Sequence, residues 1–140
     1  MSWFECKLTY EKEINQNGQM KKVSESYLVD AMSFTEAEAK MASEIESRGS
    51  FTMDNIRKVR ISEVFLDKDG DKFYKAKVGF ITLDEKAGIE KKKYSHMLVQ
   101  ANDIEGALTR LQKGMEGTLA DYEIAAITET TLMDVLSESL

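Results

Sequence analysis

The side chains in this sequence that could take part in chemistry are few, and they do not form a recognisable catalytic set. His96 is the only histidine and Cys6 the only cysteine, whereas zinc sites and nucleophilic triads require several such groups together. Cys6 also lies in phase with Leu8 and Tyr10, as a small buried side chain would. No glycine-rich phosphate loop, GxSxG or HExxH motif occurs. We therefore expect no catalytic residue, no metal site and no cofactor, and a protein that is not an enzyme.

The segment Asp67–Asp71 resembles part of a calcium-binding loop. Its glycine comes too early for that pattern, and the twelfth position is Val78 where a glutamate is required. The sequence favours a hairpin turn that joins the two halves of the chain.

Charged side chains are sorted by predicted element, with lysine and arginine on strands and glutamate on helices. If each helix covers one face of a sheet, the opposite face presents basic and aromatic side chains together, His96 among them. Such a face suits single-stranded nucleic acid, because cations follow phosphates while rings stack on bases. The predicted nucleic-acid-binding residues are Trp3, Lys7, Lys22, Lys58, Arg60, Phe73, Lys75, Lys77, Lys92 and Tyr94.

Two other interpretations of these side chains stay open. Lysine on strands often serves only to discourage edge pairing, and helices carry glutamate by propensity. The same face could instead bury an apolar patch against a second copy, which would make the protein a homo-oligomeric adaptor for protein interactions. The residues of that predicted patch are Trp3, Leu28, Phe73, Ile81 and Leu98.

The elements that would position these residues occur twice. A shift of 70 positions without gaps superimposes two stretches of matching hydrophobic phase. Phe4, Cys6, Leu8 and Tyr10 fall on Tyr74, Ala76, Val78 and Phe80. The sequence therefore predicts an internal duplication, with a first ββαβ repeat at residues 1–70 and a second at 71–140, which together form one domain.

Each repeat is predicted to open with a hairpin, because alternating apolar residues flank a turn that contains Gly18 or Gly88. Capping residues at Ser33 and Asp103 predict the helix starts. The predicted strands are 3–13, 20–31, 54–66, 72–83, 90–101 and 121–131, the helices are 34–48 and 104–117, and 132–140 is a tail with a short closing helix. This is an α+β fold with about six antiparallel strands and two helices on one face, related by a pseudo-twofold axis. The helices should pack through Ala37, Met41, Ile45, Ala107, Leu111 and Met115.

Composition places the chain among folded proteins in a reducing compartment. It has 140 residues, 42% of them hydrophobic, no proline and a net charge of −6. A single cysteine cannot form an internal disulfide, and no apolar run suggests a signal peptide or membrane span. We expect a cytoplasmic protein that does not associate with membranes.

Three phrases of the sequence resemble a known family: Trp3–Lys7, Tyr27–Ala39 and Tyr74–Val78. They are similar to an uncharacterised domain-of-unknown-function family of short proteins from Bacteroidales bacteria and their phages. The resemblance spans most of the chain and implies a bacterial or phage origin, with no activity or site residues to carry over. A looser likeness, to the arm-binding domain of phage integrases and to whirly-type single-stranded DNA binders, concerns the fold alone.

Overall fold

The strands and helices of this chain form two units. The structure is a computed structural model that describes residues 1–137. The first unit combines residues 1–60 with the segment from Thr131 onward, and the second is Ile61–Thr130. In chain order the elements are β1 (Ser2–Glu13), β2 (Met20–Ala31), α1 (Phe34–Ile45), a short 3-10 helix (Glu46–Arg48), β3 (Phe51–Val59), β4 (Glu63–Phe65), β5 (Lys72–Asp84), β6 (Ile89–Ala101), α2 (Ile104–Gly114), β7 (Asp121–Glu129) and β8 (Leu132–Leu136).

Each unit contains one four-stranded sheet. The strand order is β3-β1-β2-β8 in the first unit and β7-β5-β6-β4 in the second. The hairpins and the third strands pair antiparallel, while β8 pairs with β2 and β4 with β6 in parallel. The predicted α+β class is confirmed. The prediction of about six antiparallel strands omitted the two short parallel ones.

The core of each unit lies between its helix and one face of its sheet. Period-2 alternation places every second side chain of β1 and β5 under the helix. The buried core residues are Phe4, Cys6, Leu8, Tyr10, Tyr27, Val29, Ala31, Ala37, Met41 and Ile45 in the first unit, and Tyr74, Ala76, Val78, Met97, Val99, Ala101, Ala107, Leu111 and Met115 in the second. All six helix residues predicted to face the core are therefore buried.

Both helices begin where the capping residues predicted. The Ser33 hydroxyl accepts a hydrogen bond from the Glu36 N–H at 3.1 Å, and the Asp103 carboxylate accepts one from the Gly106 N–H at 2.6 Å. Each cap satisfies a backbone donor that the first helical turn leaves without a partner. The helices end at Ile45 and Gly114, three residues before the predicted ends.

The predicted strand 54–66 is wrong as a single element. The chain leaves the first sheet after Val59, and residues 63–65 form β4 against β6 of the second unit. Likewise, residues 132–136 form β8 and not a closing helix; the remainder of that prediction, 138–140, lies outside the described residues. The compact units thus divide at 60/61 and 130/131, while the sequence division at residue 70 remains a prediction about the repeat.

The Asp67–Asp71 segment is a turn, but it does not close a hairpin, because β4 and β5 are not neighbours in the sheet. The Gln100 side chain holds it at both ends: its oxygen accepts from the Asp67 N–H at 3.0 Å, and its amide donates to the Gly70 carbonyl at 2.8 Å. Asn102 accepts from the Asp71 N–H at 3.0 Å. The turn is therefore fastened to the end of β6, next to the start of α2.

Candidate nucleic-acid interface

The face of the second sheet that lies opposite α2 carries basic and aromatic side chains. In the β5–β6 hairpin, Lys77 is directly opposite His96 and Gly79 is directly opposite Tyr94. Residues opposite one another on paired strands point to the same face. Because Ala76 and Val78 point toward the helix, their neighbours Lys75 and Lys77 point away from it. The structure thus brings Lys75, Lys77, Lys92, Tyr94 and His96 onto one face.

Tyr94 is an exposed ring on this face, with 46% of its surface accessible. The ring lies across Gly79, where a Cβ atom would be only 3.1 Å from ring carbon Cε1. The ammonium group of Lys77 lies 4.3 Å from the ring centroid, within the range of a cation–π contact. The Tyr94 ring and the Lys77 ammonium group are therefore in direct contact.

His96 lies beside both lysines and is held in its neutral form. Burial lowers the pKa of its imidazole, and the charges of Lys75 and Lys77 lower it further. Each of these effects disfavours an added positive charge. Near neutral pH the positive charge of this face therefore comes from lysine, with an uncharged imidazole opposite Lys77.

The lowered pKa of His96 predicts that acid destabilises the fold. The unfolded chain takes up a proton near the ordinary histidine pKa of about 6.5, whereas the folded chain resists protonation. Stability is therefore unaffected well above that pH and decreases as pH falls through it toward the lower folded pKa. Between about pH 7.5 and about pH 5.5, the melting temperature of His96→Gln should decrease less than that of the wild type. Circular dichroism measures both melting temperatures. Equal losses in the two proteins would contradict this assignment.

The lysines of this face differ in their partners. Lys92 forms an ion pair with Glu123 at 2.9 Å, and both groups are about half exposed. Lys75 is exposed and forms no ion pair among residues 1–137. Exposed ion pairs contribute little to stability and exchange partners readily. Lys75 is thus the cation of this face most available to an anionic ligand, while Lys77 is partly exposed and its ammonium group lies against the Tyr94 ring.

The corresponding face of the first unit carries less available charge. Trp3, Glu5 and Lys7 alternate with the core residues of β1, so they point away from α1. Lys7 is exposed, but Trp3 is only partly so, and Glu5 forms an ion pair with Arg57 at 3.0 Å. Lys22, which is opposite Glu11, lies on the same face near the end of the hairpin. On this face Glu5 neutralises Arg57, and the acid Glu11 lies opposite Lys22.

Three of the predicted site residues lie elsewhere. Lys58 is opposite Phe4, so it is on the helix side of the first sheet, and Arg60 follows the end of β3. Phe73 is 3% exposed, so the expectation of an exposed ring at this position is wrong. Alternation determines which face a side chain is on, but it does not determine whether that face is open to solvent.

The predicted apolar patch is also largely inaccessible. Leu28 and Leu98 are each 1% exposed, and Phe73 is the third buried member. Trp3 and Ile81 are partly exposed. Only two of these five side chains, Trp3 and Ile81, are therefore accessible to a second copy of the chain. Association of copies itself stays a prediction.

Sequence reasoning placed His96 on this face but did not count it among the binding residues, and it missed Gly79. The signal for both was the register of the second hairpin. A turn at residues 85–88 pairs Asp84 with Ile89, and the same register places Gly79 opposite Tyr94. A glycine opposite an aromatic residue leaves room for the ring to lie flat on the sheet.

Two other side chains that could take part in chemistry, Cys6 and Arg48, have structural roles. Burial raises the pKa of the Cys6 thiol to about 11, with further contributions from Glu5 and Glu38, so this thiol stays protonated and is a poor nucleophile. Arg48 donates to the Tyr27 hydroxyl at 2.7 Å and to Glu25 at 3.2 Å, which fastens the short 3-10 helix after α1 to β2. Within residues 1–137 no group of three or more His, Cys, Asp or Glu side chains could hold a metal ion.

Comparison of the chain with known proteins identifies the family to which it belongs. No helix among the described residues is long and apolar enough to cross a membrane. No curated protein and no solved structure matches the chain. Residues 2–138 match the domain of unknown function DUF4494. The match covers nearly all of the 140 residues, and the chain therefore belongs to the DUF4494 family.

Proposed function

We propose that this protein is a non-enzymatic binding module that holds single-stranded nucleic acid on the face of the second sheet opposite α2. The observation that carries the proposal is the exposed Tyr94 ring with Lys77 4.3 Å from its centroid and Lys75 two residues from Lys77 on the same face of β5. Ring stacking on a base is worth about 1–3 kcal/mol and tolerates any sequence. The ammonium groups of Lys77 and Lys75, which follow one another on one side of Tyr94, can neutralise neighbouring phosphates.

The roles of the individual residues follow from their positions. Tyr94 would stack on a base, and Lys77 and Lys75 would contact phosphates on one side of that base. Lys92 would add a contact after exchanging Glu123 for a phosphate. Of the remaining predicted residues, Lys7, Lys22 and Trp3 lie on the equivalent face of the first unit, and Lys58 and Arg60 lie at its edge strand, so they would contribute long-range attraction at most.

The proposal predicts salt-dependent binding that depends on two lysines. A labelled oligonucleotide of about 16 nucleotides is long enough for such a site, and fluorescence anisotropy measures its affinity. Affinity should fall steeply between about 50 mM and about 200 mM salt. Lys75→Glu with Lys77→Glu should lower it by at least about tenfold and reduce the slope of log K against log salt by about 1.4, since each neutralised phosphate contributes about 0.7.

The matched control changes the same charge elsewhere. Lys68 and Lys86 are exposed and lie in turns, so Lys68→Glu with Lys86→Glu should leave most of the affinity intact. Tyr94→Phe should bind nearly as the wild type does, whereas Tyr94→Ala should lose the stacking contribution. An absence of binding at low salt, or equal losses in the two double variants, would refute the proposal.

We also infer that the two units are copies of one ancestral unit. Three features support this inference: the shared strand order, the helix caps at Ser33 and Asp103, and the β-bulges between Lys7 and Leu8 and between Lys77 and Val78. Both pairs of positions are 70 residues apart. An origin in Bacteroidales bacteria or their phages remains a prediction, for which the genes that neighbour this one are the test.

A further inference from the structure

Each sheet ends on one long edge strand. In the first unit this is β3, which pairs only with β1, and in the second it is β7, which pairs only with β5, as far as residues 1–137 are concerned. The outer side of each strand therefore has backbone N–H and C=O groups without strand partners. Such an edge is a template for another strand.

The two edges carry opposite charge. The segment 51–60 contains the bases Arg57, Lys58 and Arg60 and a single acid, Asp54. β7 contains three acids and no base. Two β3 edges therefore repel each other, as do two β7 edges, whereas a β3 edge attracts a β7 edge. The Glu123–Lys92 ion pair is exposed, and the Arg57–Glu5 pair is exposed at Arg57 and partly exposed at Glu5, so both contribute little to stability and can be replaced at small cost.

An apolar groove adjoins the β7 edge. It lies between α2 and β7, has a volume of about 350 Å³, and is lined by Ile104, Glu105, Leu108 and residues 124–127. Ile104 is 55% exposed and Leu108 38% exposed. An apolar side chain on the helix side of an incoming strand would reach this groove.

We propose that the β3 edge of one copy of this chain adds to the β7 edge of a second copy. The extra residue of each β-bulge is Asp54 in β3 and Ala125 in β7. Regular pairing is therefore limited to residues 56–59 of β3 and 121–124 of β7. An antiparallel register places Arg57 opposite Glu123 and Ile56 opposite Ile124. Arg57 and Glu123 both lie on the faces away from the helices, and Ile56 and Ile124 both lie on the helix sides. Opposite charges therefore meet at Arg57–Glu123 on one face, and apolar side chains meet at Ile56–Ile124 on the other. The remaining two pairs of this register, Lys58 with Tyr122 and Val59 with Asp121, match in neither respect.

The contact is heterologous, because one copy contributes β3 and the other β7. Heterologous contacts generate closed rings or open filaments. A four-residue ladder is short, so the association is weak and depends on concentration and salt. Self-assembly of this kind would occur without burying the predicted nucleic-acid face.

Sedimentation and light scattering over a range of concentrations test this proposal. At low salt the wild type should show an average mass that rises with concentration to at least about twice the monomer mass. Arg57→Glu alone and Glu123→Arg alone should each remain monomeric, because each places like charges opposite one another. An equimolar mixture of the two variants should associate again, since each contact in an alternating assembly then joins opposite charges.

Glu44→Arg is the control, since Glu44 is an exposed acid on α1; it should associate as the wild type does. A wild type that stays monomeric at every concentration would overturn the proposal. Association that the mixture of variants fails to restore would also overturn it.

Discussion

Leu111→Ala should lower the free energy of unfolding by about 2–5 kcal/mol, the largest effect expected from a single substitution here. Leu111 is 0% exposed and packs between α2 and the second sheet. The substitution removes buried methyl groups and leaves a cavity that the surrounding strands fill only in part. Alanine is a better helix former than leucine, so helix propensity does not account for any of the loss. Urea denaturation followed by circular dichroism measures it.

Leu119→Ala is the matched control, because Leu119 is fully exposed in the segment before β7. The same change of side chain there should alter stability by less than about 0.5 kcal/mol. Similar effects at the two positions would contradict the placement of Leu111 in the core of the second unit.

Gly70→Ala should lower the free energy of unfolding by about 1–3 kcal/mol, the cost of forcing extra atoms into a well-packed site. A Cβ atom at position 70 would lie 2.7 Å from the Ala101 nitrogen and 2.8 Å from the Ala101 Cα. These are backbone atoms of β6, which cannot turn aside as a side chain could. The clash would also strain the hydrogen bonds that Gln100 makes to this turn. Thermal unfolding of the purified variant measures the loss.

Asp69→Ala provides the comparison for this prediction. Asp69 lies in the same turn and is exposed, and its N–H donates to the Asp67 carboxylate, a contact that alanine retains. A variant at Gly70 that is no less stable than the one at Asp69 would show that the turn can move away from β6.

The long elements were predictable from the sequence because each has a strong local signal. Alternation in Phe4–Tyr10 and Tyr74–Phe80 determined both the strands and their helix-facing sides. Ser33 and Asp103 determined the helix starts through their capping hydrogen bonds. These signals are local, so neither required knowledge of the tertiary structure.

The short strands were not predictable in the same way. β4 has three residues, and its partner β6 is about 34 positions away in sequence. A segment as short as Glu63–Phe65 has no alternation to measure, so the sequence predicts it as a continuation of β3. Such pairing is determined by the space that the other strands leave, which no local pattern encodes.

The candidate site shows the same division. The register of the second hairpin determined that Lys77, Tyr94 and His96 share a face. The burial of Phe73 and the position of Lys58 on the helix side were not predictable, because the first depends on tertiary packing and the second on the bulge in β3. The cation–π contact between Lys77 and Tyr94 required coordinates.

The placement of β8 means that the first unit is assembled from both ends of the chain. The Ser137 hydroxyl donates to the Asp30 carboxylate across a separation of 107 residues. During synthesis, Ile61–Thr130 can fold as an uninterrupted stretch as soon as it leaves the ribosome, whereas the sheet begun at residue 2 must wait for its last strand. At about 5–20 residues per second, the outer side of β2 stays uncovered for several seconds in the cell. A nascent chain stalled before residue 132 would therefore expose that strand to chaperones and to other nascent chains.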